Sequence, residues 1–249
     1  MLPIEDVTSL ALLYHLNSEP WANEAAATDL QYEVQYKAYP EALAAIPLPK
    51  PIGTSALLAL LQKRCSCRSY RNQIMPLETL ASILAGTYAI TQLKLLPSGQ
   101  SYFARSAPSA GGLYPLELYL VVQQVDQLAD GIYHYNLRSH ALEALASGNH
   151  VAELQAHLLN QVAISQANVV FILSAVFSRT LTKYGARGYR YILFEAGHVA
   201  QNICLLAAEH NLGSICLGGF FDTRLNAFLG LDGSSEGAVY CVGIGYPAE

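Results

Sequence analysis

Residues 168–175 constrain the fold most, because nearly every side chain among them is apolar and several are β-branched. Such residues favour strands, and a strand without alternating polar residues is buried on both faces. The sequence therefore predicts a central sheet that is covered on both sides.

The longest predicted helix spans residues 189–210 and stops at Gly213. Its apolar side chains cover most of its circumference, and a helix that is apolar all round is buried. In a chain of 249 residues, the simplest place to bury such a helix is an interface between two subunits. We therefore expect a homodimer.

The remaining patterns predict a mixture of helices and strands. Helices are predicted at residues 7–16, 22–36, 55–63, 76–84 (with Gly86 as the stop), 151–159 and after Asp222 or Thr223, and strands at 117–122, 131–135, 142–146 and 238–246. Because these elements follow no regular βαβ alternation, the predicted fold class is α+β, with a mixed central sheet flanked by helices.

Residues 1–53 contain a run of prolines towards their end, at positions 40, 47, 49 and 51. Prolines at this density interrupt helices and sheets. We expect an N-terminal arm over residues 1–53 that wraps a single domain formed by residues 54–249.

Charged residues are scarce, at 13% of the chain against about 25% in an ordinary soluble domain. Such a chain is expected to cover apolar surface with a second copy of itself or with a cofactor. The net charge of −5 gives no attraction to nucleic acid or to an anionic membrane. The longest apolar stretch, residues 169–177, is far shorter than the roughly 20 residues of a membrane span.

The five cysteines are an odd number in a chain of ordinary domain size, which is typical of an intracellular protein. With no secretory signal at the start, we expect a cytoplasmic location. Cys204, Cys216 and Cys241 are predicted to be small core residues. No metal site is predicted, because the histidines never pair at i, i+4 around a glutamate.

Three arginines and two serines cluster in residues 64–71, which read Arg-Cys-Ser-Cys-Arg-Ser-Tyr-Arg. In an extended segment Arg64, Ser66 and Arg68 lie on one face. Two guanidinium groups and a hydroxyl would suit a phosphate, although a solvated basic turn is an equally good interpretation of the spacing alone.

Two glycine-rich loops could approach a flat ligand closely with their backbone. The first precedes a predicted strand and contains Pro108, Ser109, Ala110, Gly111 and Gly112. The second contains Gly218 and Gly219. Each is also consistent with an ordinary turn, and the fingerprint of a Rossmann dinucleotide site is absent.

Lys183 and Tyr184 are predicted to lie on a loop between the buried strand and the long helix. They could form an acid/base pair if burial favours the neutral amine, but a surface lysine is the commoner case. Within the long helix, Glu195, His198 and Asn202 are polar residues in apolar surroundings. They need partners, either on a facing helix or on a ligand.

In their order along the chain, these motifs resemble the nitroreductase-like flavoprotein superfamily, and in particular its SagB-type azoline dehydrogenase branch. The resemblance rests on Arg64-x-Ser66-x-Arg68-x-Tyr70, Pro108 to Pro115, Gly131-Ile132-Tyr133-His134-Tyr135, Lys183-Tyr184, Glu195-x-Gly197-His198-x-x-Gln201-Asn202, Gly218-Gly219-Phe220 and Gly243-Ile244-Gly245-Tyr246-Pro247.

The resemblance implies FMN as the cofactor and a fold in which two intertwined subunits build two flavin sites. By matching position, Arg64, Ser66 and Arg68 would hold the phosphate and ribityl end, while residues 108–112 and Gly218-Gly219 would line the isoalloxazine. A Lys-Tyr pair is implicated in catalysis in this branch, and here it falls on Lys183 and Tyr184.

The implied reaction is oxidation of a thiazoline or oxazoline to a thiazole or oxazole. The substrate would be a peptide, supplied by a separate cyclodehydratase, or a thioester on a carrier protein of a nonribosomal assembly line. The chain lacks a basic residue near its C-terminus, where superfamily members often have a phosphate contact. An NAD(P)H-dependent nitroreductase or flavin reductase, and a flavin-binding scaffold without catalysis, remain alternatives.

Overall fold

The computed structural model describes residues 7–20, 37–49, 55–95 and 101–248, with the single positions 53 and 99. The predicted helix at residues 22–36 lies outside the described residues. Of the predicted arm, residues 37–49 have no helix or strand and are exposed. Helix α1 (Val7–Asn17) confirms the helix predicted at residues 7–16.

A six-stranded sheet forms the centre of the protein, in the order β5-β4-β3-β6-β8-β7. Its strands are β3 (Leu116–Val122), β4 (Gly131–Asn136), β5 (Ala141–Ser147), β6 (Val169–Val176), β7 (Gly213–Leu217) and β8 (Glu236–Gly245). All five pairings are antiparallel. The α+β class is confirmed, but the prediction of a mixed sheet is wrong, because the sheet is purely antiparallel. Strand β6 is buried along seven of its eight residues, as its apolar composition predicts.

Helices cover both faces of this sheet. One core holds α3 (Leu77–Thr87) and α6 (Arg187–Glu209) against side chains such as Phe171 and Leu173. The opposite core holds α4 (Val151–His157) and α7 (Asp222–Leu229) against Val170 and Ile172. The alternation along β6 thus sends successive side chains into two different cores.

Helix α6 is long and apolar enough to cross a membrane, but half of its most apolar stretch is buried inside the protein, as in the core helix of a soluble fold. The sequence predicted that this helix is buried all round. That prediction is wrong for the single chain, because Leu193 and Phe194 are exposed.

Two polar side chains of α6 find partners on or just after α3. Asn202 donates to the Thr87 carbonyl over 3.0 Å. Glu195 accepts from the Tyr88 hydroxyl, whereas His198 is exposed.

Several local predictions are corrected by the structure. Gly86 lies inside α3 and does not end it. Asp222, which was predicted to precede α7, is its first residue, and Gly230 ends that helix in the left-handed region. Cys216 is exposed and is not a core residue. Strands β1 (Ile90–Leu95) and β2 (Ser101–Arg105) form an antiparallel pair that the sequence patterns did not predict.

The N-terminal segment is tied to the body by two contacts. The buried His15 lies 2.9 Å from the Tyr189 hydroxyl through its Nδ1. Glu19 accepts hydrogen bonds from the backbone N–H and the hydroxyl of Thr223, at 3.1 and 2.7 Å. Glu19 therefore provides, from a distant part of the chain, the acceptor that the first turn of α7 needs.

Candidate functional site

Strand register places the predicted site residues at two opposite ends of the sheet. Leu116, Ala175 and Gly237 form one end across β3, β6 and β8. Val122, Val169 and Ile244 form the other end, and Ile244 pairs with Ser214 of β7. The loop of residues 108–115 enters the first end, and the segment around Ser66, which pairs with Ser214, flanks the second.

At the first end, Lys183 and Tyr184 lie against Gly111. The sequence predicted a loop at these two residues. They are instead the last residues of helix α5 (Ser178–Tyr184). A methyl group on Gly111 would lie 2.8 Å from Lys183 Nζ and 2.8 Å from the Tyr184 hydroxyl. The structure therefore brings an amine, a phenol and an exposed glycine backbone to one point.

Gly111 and Gly112 both have positive φ angles, of 65° and 66°, which glycine adopts without steric cost. The Tyr102 ring packs where a side chain on Gly112 would be, at 3.1 Å. A cavity of about 810 Å³ opens here, lined by Ser101, Tyr102, Ser109, Gly111, Gly112, Leu113 and Lys183. Lys183 is exposed to it, so this chain alone does not bury the amine.

A buried polar network supports this loop from below. The Glu195 carboxylate accepts hydrogen bonds from the Tyr88 hydroxyl and from Ser109. The Ser109 Oγ in turn accepts from the Tyr114 N–H over 2.9 Å. The guanidinium of Arg105 lies 4.3 and 4.8 Å from the centroids of the Tyr88 and Tyr114 rings. These contacts fix the shape of the loop.

Burial dominates the electrostatics of that network. It raises the pKa of Glu195, while the hydrogen bonds from Ser109 and Tyr88 and the charge of Arg105 act in the opposite direction. Burial and the neighbouring Glu195 also raise the pKa of Tyr88. The Tyr88 hydroxyl therefore keeps its proton and remains a donor to the carboxylate.

A second cavity of about 700 Å³ adjoins the first and shares Tyr102, Gly112 and Leu113 with it. Its wall combines apolar side chains with Glu117 and the three arginines Arg105, Arg138 and Arg179. The Arg179 guanidinium contacts the Glu117 carboxylate at 2.6 Å. The Lys183 cavity therefore continues into a cleft that has both apolar and charged walls.

At the other end of the sheet, the basic cluster lines a cavity of about 630 Å³. Arg64, Ser66 and Arg68 all line it, and so do Ser214 and Pro247. Cys65 and Cys67, which alternate with them, line it as well, so the cavity does not select the one face that the spacing predicted. Backbone hydrogen bonds from Cys67 to Ser214 and from Ala248 to Ser69, at 2.8 and 3.0 Å, hold the segment in place. The guanidinium and hydroxyl donors are those that a phosphate uses.

Sequence reasoning missed Lys63 in this cavity, where its Nζ donates to Asn211 over 2.6 Å. Its position in the last turn of α2 (Ala56–Lys63) made it look like an ordinary helix end. It gives the cavity a third cation besides Arg64 and Arg68. Glu195 was singled out, but its connection to Ser109 was not predicted.

The remaining predicted residues lie apart from these cavities. Pro108 is exposed and Ala110 half-buried on the first loop. Gly218 and Gly219 follow β7, where they approach the Tyr240 ring and Leu159. Leu217, before them, aligns with Cys241 and Ile172 near the middle of the sheet. Among the described residues, no cluster of three His, Cys, Asp or Glu side chains could hold a metal ion.

The sequence of this chain is similar to a known protein family. The model of the nitroreductase family matches residues 61–246. A nitroreductase homologue of Methanocaldococcus jannaschii is 35% identical over 68% of this chain and 82% of its own length.

Two further similarities concern microcin proteins of Escherichia coli. The microcin B17-processing protein McbC of Escherichia coli is 31% identical over 51% of this chain, a match that spans about half (49%) of McbC. A chain in the structure of the E. coli microcin synthetase McbBCD complex with truncated pro-MccB17 bound has a TM-score of 0.75. The superposition covers 98% of this chain and 94% of the chain in the complex, and the two sequences are 20% identical. This similarity shows the fold.

Proposed function

Since this chain belongs to the nitroreductase family, whose members are oxidoreductases that typically bind flavin, we propose that it is an FMN-dependent azoline dehydrogenase. It would oxidise a peptide- or carrier-protein-bound thiazoline or oxazoline to the corresponding azole. The observation that carries this proposal is the placement of Lys183 Nζ and the Tyr184 hydroxyl against the exposed backbone of Gly111. The similarity to McbC supports the choice of substrate.

The residues present fit FMN. The cavity of Arg64, Ser66 and Arg68 offers donors for a phosphate, and Lys63 adds a further cation to its wall. Gly111 is exposed and lines the Lys183 cavity together with Gly112, so a flat ring in that cavity would lie against glycine backbone. We assign the isoalloxazine contacts to residues 108–112 and to Gly218-Gly219.

When bound, FMN supplies an acceptor for the hydride that leaves the azoline ring. The task of this chain is to remove the accompanying proton from the carbon between the imine and the carbonyl. Lys183 or Tyr184 takes that proton, assisted by the other, because both groups lie at the same point beside Gly111. The network of Glu195, Tyr88 and Ser109 holds the loop in position during this step.

A homodimer would complete each site. The Lys183 and Arg64 regions are separated by the length of β3, about 20 Å, and by three strand spacings, about 14 Å. One protomer therefore does not offer both ends to a single FMN. Exposed apolar side chains on α1 and α6, including Leu13, Tyr14 and Phe194, are a suitable surface for the second copy.

Subunit complementation tests this arrangement. At an FMN concentration too low to fill the weakened Arg64→Ala site, Arg64→Ala and Lys183→Ala chains are each expected to be inactive alone. Co-expressed chains that assort randomly into dimers should recover about a quarter of the sites, because half of the dimers are mixed and one site in each mixed dimer is intact. If Arg64 and Lys183 of one site came from the same chain, no activity would return.

The cleft beside Lys183 is the proposed path for the substrate chain. Its length and mixed walls suit the residues that flank an azoline better than a small nitroaromatic molecule. A cyclodehydratase is the expected partner for a ribosomal peptide, and a carrier protein for an assembly-line thioester. Both partners imply a cytoplasmic protein.

The decisive experiment incubates the purified, flavin-loaded protein with thiazoline- and oxazoline-containing peptides and with the carrier-bound thioester, and measures mass. Loss of two mass units with the ultraviolet absorbance of an azole is the expected result. Rapid bleaching of the flavin by NAD(P)H, without change in any azoline, would support a nitroreductase or flavin reductase. Bound flavin with neither activity would support a non-catalytic scaffold.

A further inference from the structure

Two cysteine sulfurs lie in contact beside the Arg64 cavity. Cys204 is on helix α6 and is buried, while Cys216 is on the edge strand β7 and is exposed. Their Sγ atoms are 3.6 Å apart. A disulfide requires about 2.05 Å, so a movement on the order of 1.5 Å would join them.

The surroundings of the two thiols differ in a way that assigns them different roles. The Cys204 thiol donates a hydrogen bond to the Cys216 sulfur, the Tyr240 hydroxyl donates a second, and Arg64 adds a positive charge. Together they lower the pKa of Cys216 to about 6. The same hydrogen bond, with burial, raises the pKa of Cys204. These contacts therefore favour the thiolate on the exposed sulfur of Cys216 and the protonated form on the buried sulfur of Cys204.

The other cysteines lack this combination. Cys241 is fully buried, and burial raises its pKa. The Cys67 thiol donates to the Ser69 carbonyl over 3.1 Å. Cys65 is exposed on the segment of residues 63–69 that lines the Arg64 cavity, called the cavity segment below. Only the pair of Cys204 and Cys216, among the described cysteines, unites an accessible thiolate with a second sulfur in contact.

We propose that Cys204 and Cys216 are a peroxide-sensitive modification site, at which an accessible sulfur and a buried one join as a reversible disulfide. The Cys216 thiolate attacks one oxygen of hydrogen peroxide, so that an S–O bond forms, the O–O bond breaks and hydroxide leaves as water after taking a proton. The Cys204 sulfur then attacks the sulfenic acid, an S–S bond forms, and a second water leaves with the Cys204 proton. Two thiols lose two electrons and one peroxide becomes two waters.

The position of this site links it to the cavity wall. Ser214 lies two residues before Cys216 on β7, and its carbonyl accepts the hydrogen bond from the Cys67 N–H that holds the cavity segment. Closing the gap between the sulfurs pulls β7 towards α6 beside this contact. The oxidation chemistry itself depends only on the two cysteines and their neighbours, and it stands whether or not the protein acts on azolines.

The sequence allows a direct test by peptide mapping. Trypsin leaves both cysteines in one peptide, residues 191–224, because the nearest arginines are Arg190 and Arg224. Glu209 lies between the cysteines, so a glutamate-specific protease separates them unless a disulfide joins the fragments. The folded full-length protein is treated with hydrogen peroxide, blocked with an alkylating agent and digested without reductant.

The expected result is a pair of fragments joined by a disulfide, with a mass about two units below the sum of the two thiol fragments. Dithiothreitol should separate this pair. Cys216→Ser should abolish the joined pair, and Cys65→Ser, which removes another exposed thiol, should leave it intact. Because Cys216 is exposed, its replacement should not impair folding, which circular dichroism checks. Peroxide that leaves the fragments separate, or that links Cys216 to Cys65 or Cys67, would overturn the proposal.

Discussion

The Lys183 end and the Arg64 end of the sheet are built in different ways. At the Lys183 end, a buried carboxylate, Glu195, holds the loop through Tyr88 and Ser109. At the Arg64 end, an exposed segment is attached through backbone hydrogen bonds to Ser214 and Tyr246. Proton transfer requires fixed distances, whereas an anion needs only charge and donors nearby. The structure thus has its rigid support where geometry would matter more.

Replacing Lys183 should produce the largest effect and test the first half of this comparison. Lys183→Ala should lower turnover by about 10²- to 10⁴-fold, the usual contribution of a positioned acid or base, while the protein stays yellow. Steady-state kinetics and the flavin absorbance of the purified protein measure both. Thr182→Ala, a neighbouring exposed change on α5, is the control. Unchanged turnover in Lys183→Ala would remove this residue from the reaction.

Replacing Arg64 should produce the reverse phenotype. The loss of one charge-assisted hydrogen bond, worth about 1.5–3 kcal/mol, should weaken FMN binding roughly 10- to 100-fold, with turnover preserved at saturating FMN. Fluorescence titration of the apoprotein measures the affinity. Arg71→Ala is the matched control, because Arg71 lies on the same segment and hydrogen-bonds Gln73 at 2.9 Å outside the cavity. Equal losses in the two variants would contradict a specific role for Arg64.

Gly111→Ala should test how tightly the Lys183 end is constrained. A side chain at φ of 65° costs about 1–2 kcal/mol, and the new methyl group would displace Lys183 Nζ and the Tyr184 hydroxyl. We expect a melting temperature lower by about 2–8 °C and turnover reduced by about tenfold.

The control for this change is Gly230→Ala, which has a φ of 73° and nothing within 4 Å of the added methyl group. It should lose similar stability and keep its turnover. If both variants kept full activity, the crowding around Gly111 would have no part in catalysis.

The smallest expected effect is a change in the pH dependence of stability, caused by a replacement in helix α1. This helix packs at the Lys183 end through His15. Burial lowers the pKa of His15, which packs on Phe177 and Tyr189. A lowered pKa in the folded state means that stability is complete above the unfolded value, about 6.5, and declines as the pH falls below it. His15→Gln should flatten this decline in melting temperature between pH 7 and 5. An unchanged slope would show that His15 does not contribute.

Much of the fold was readable from the sequence, because hydrophobic periodicity reports burial directly. The buried strand at residues 168–175, the long helix and the hairpin of β4 and β5 are confirmed. Here local pattern and three-dimensional structure agree because neighbours in sequence supply the contacts. Arg64, Ser66 and Arg68 line one cavity, and their binding of a phosphate stays a prediction.

The predictions that needed distant contacts were less complete. The closeness of Lys183 to Gly111 and the bond between Glu195 and Tyr88 join residues 72 and 107 positions apart, and no local pattern encodes them. Gly86 looked like a helix stop, yet it lies in α3 with the Leu206 side chain 2.8 Å from where its Cβ would be. A small residue there permits the close packing of α3 on α6.

The pairing of Ser66 with Ser214 has a further consequence. Strand β7 is the last strand of the sheet, and an uncovered last strand offers its backbone groups to strands of other molecules. The segment that carries Arg64 and Arg68 lies along this border and also pairs at Tyr70 with Pro247. The segment that carries Arg64 and Arg68 therefore also covers part of the edge of the sheet, and a change that detached it would expose backbone groups of β7.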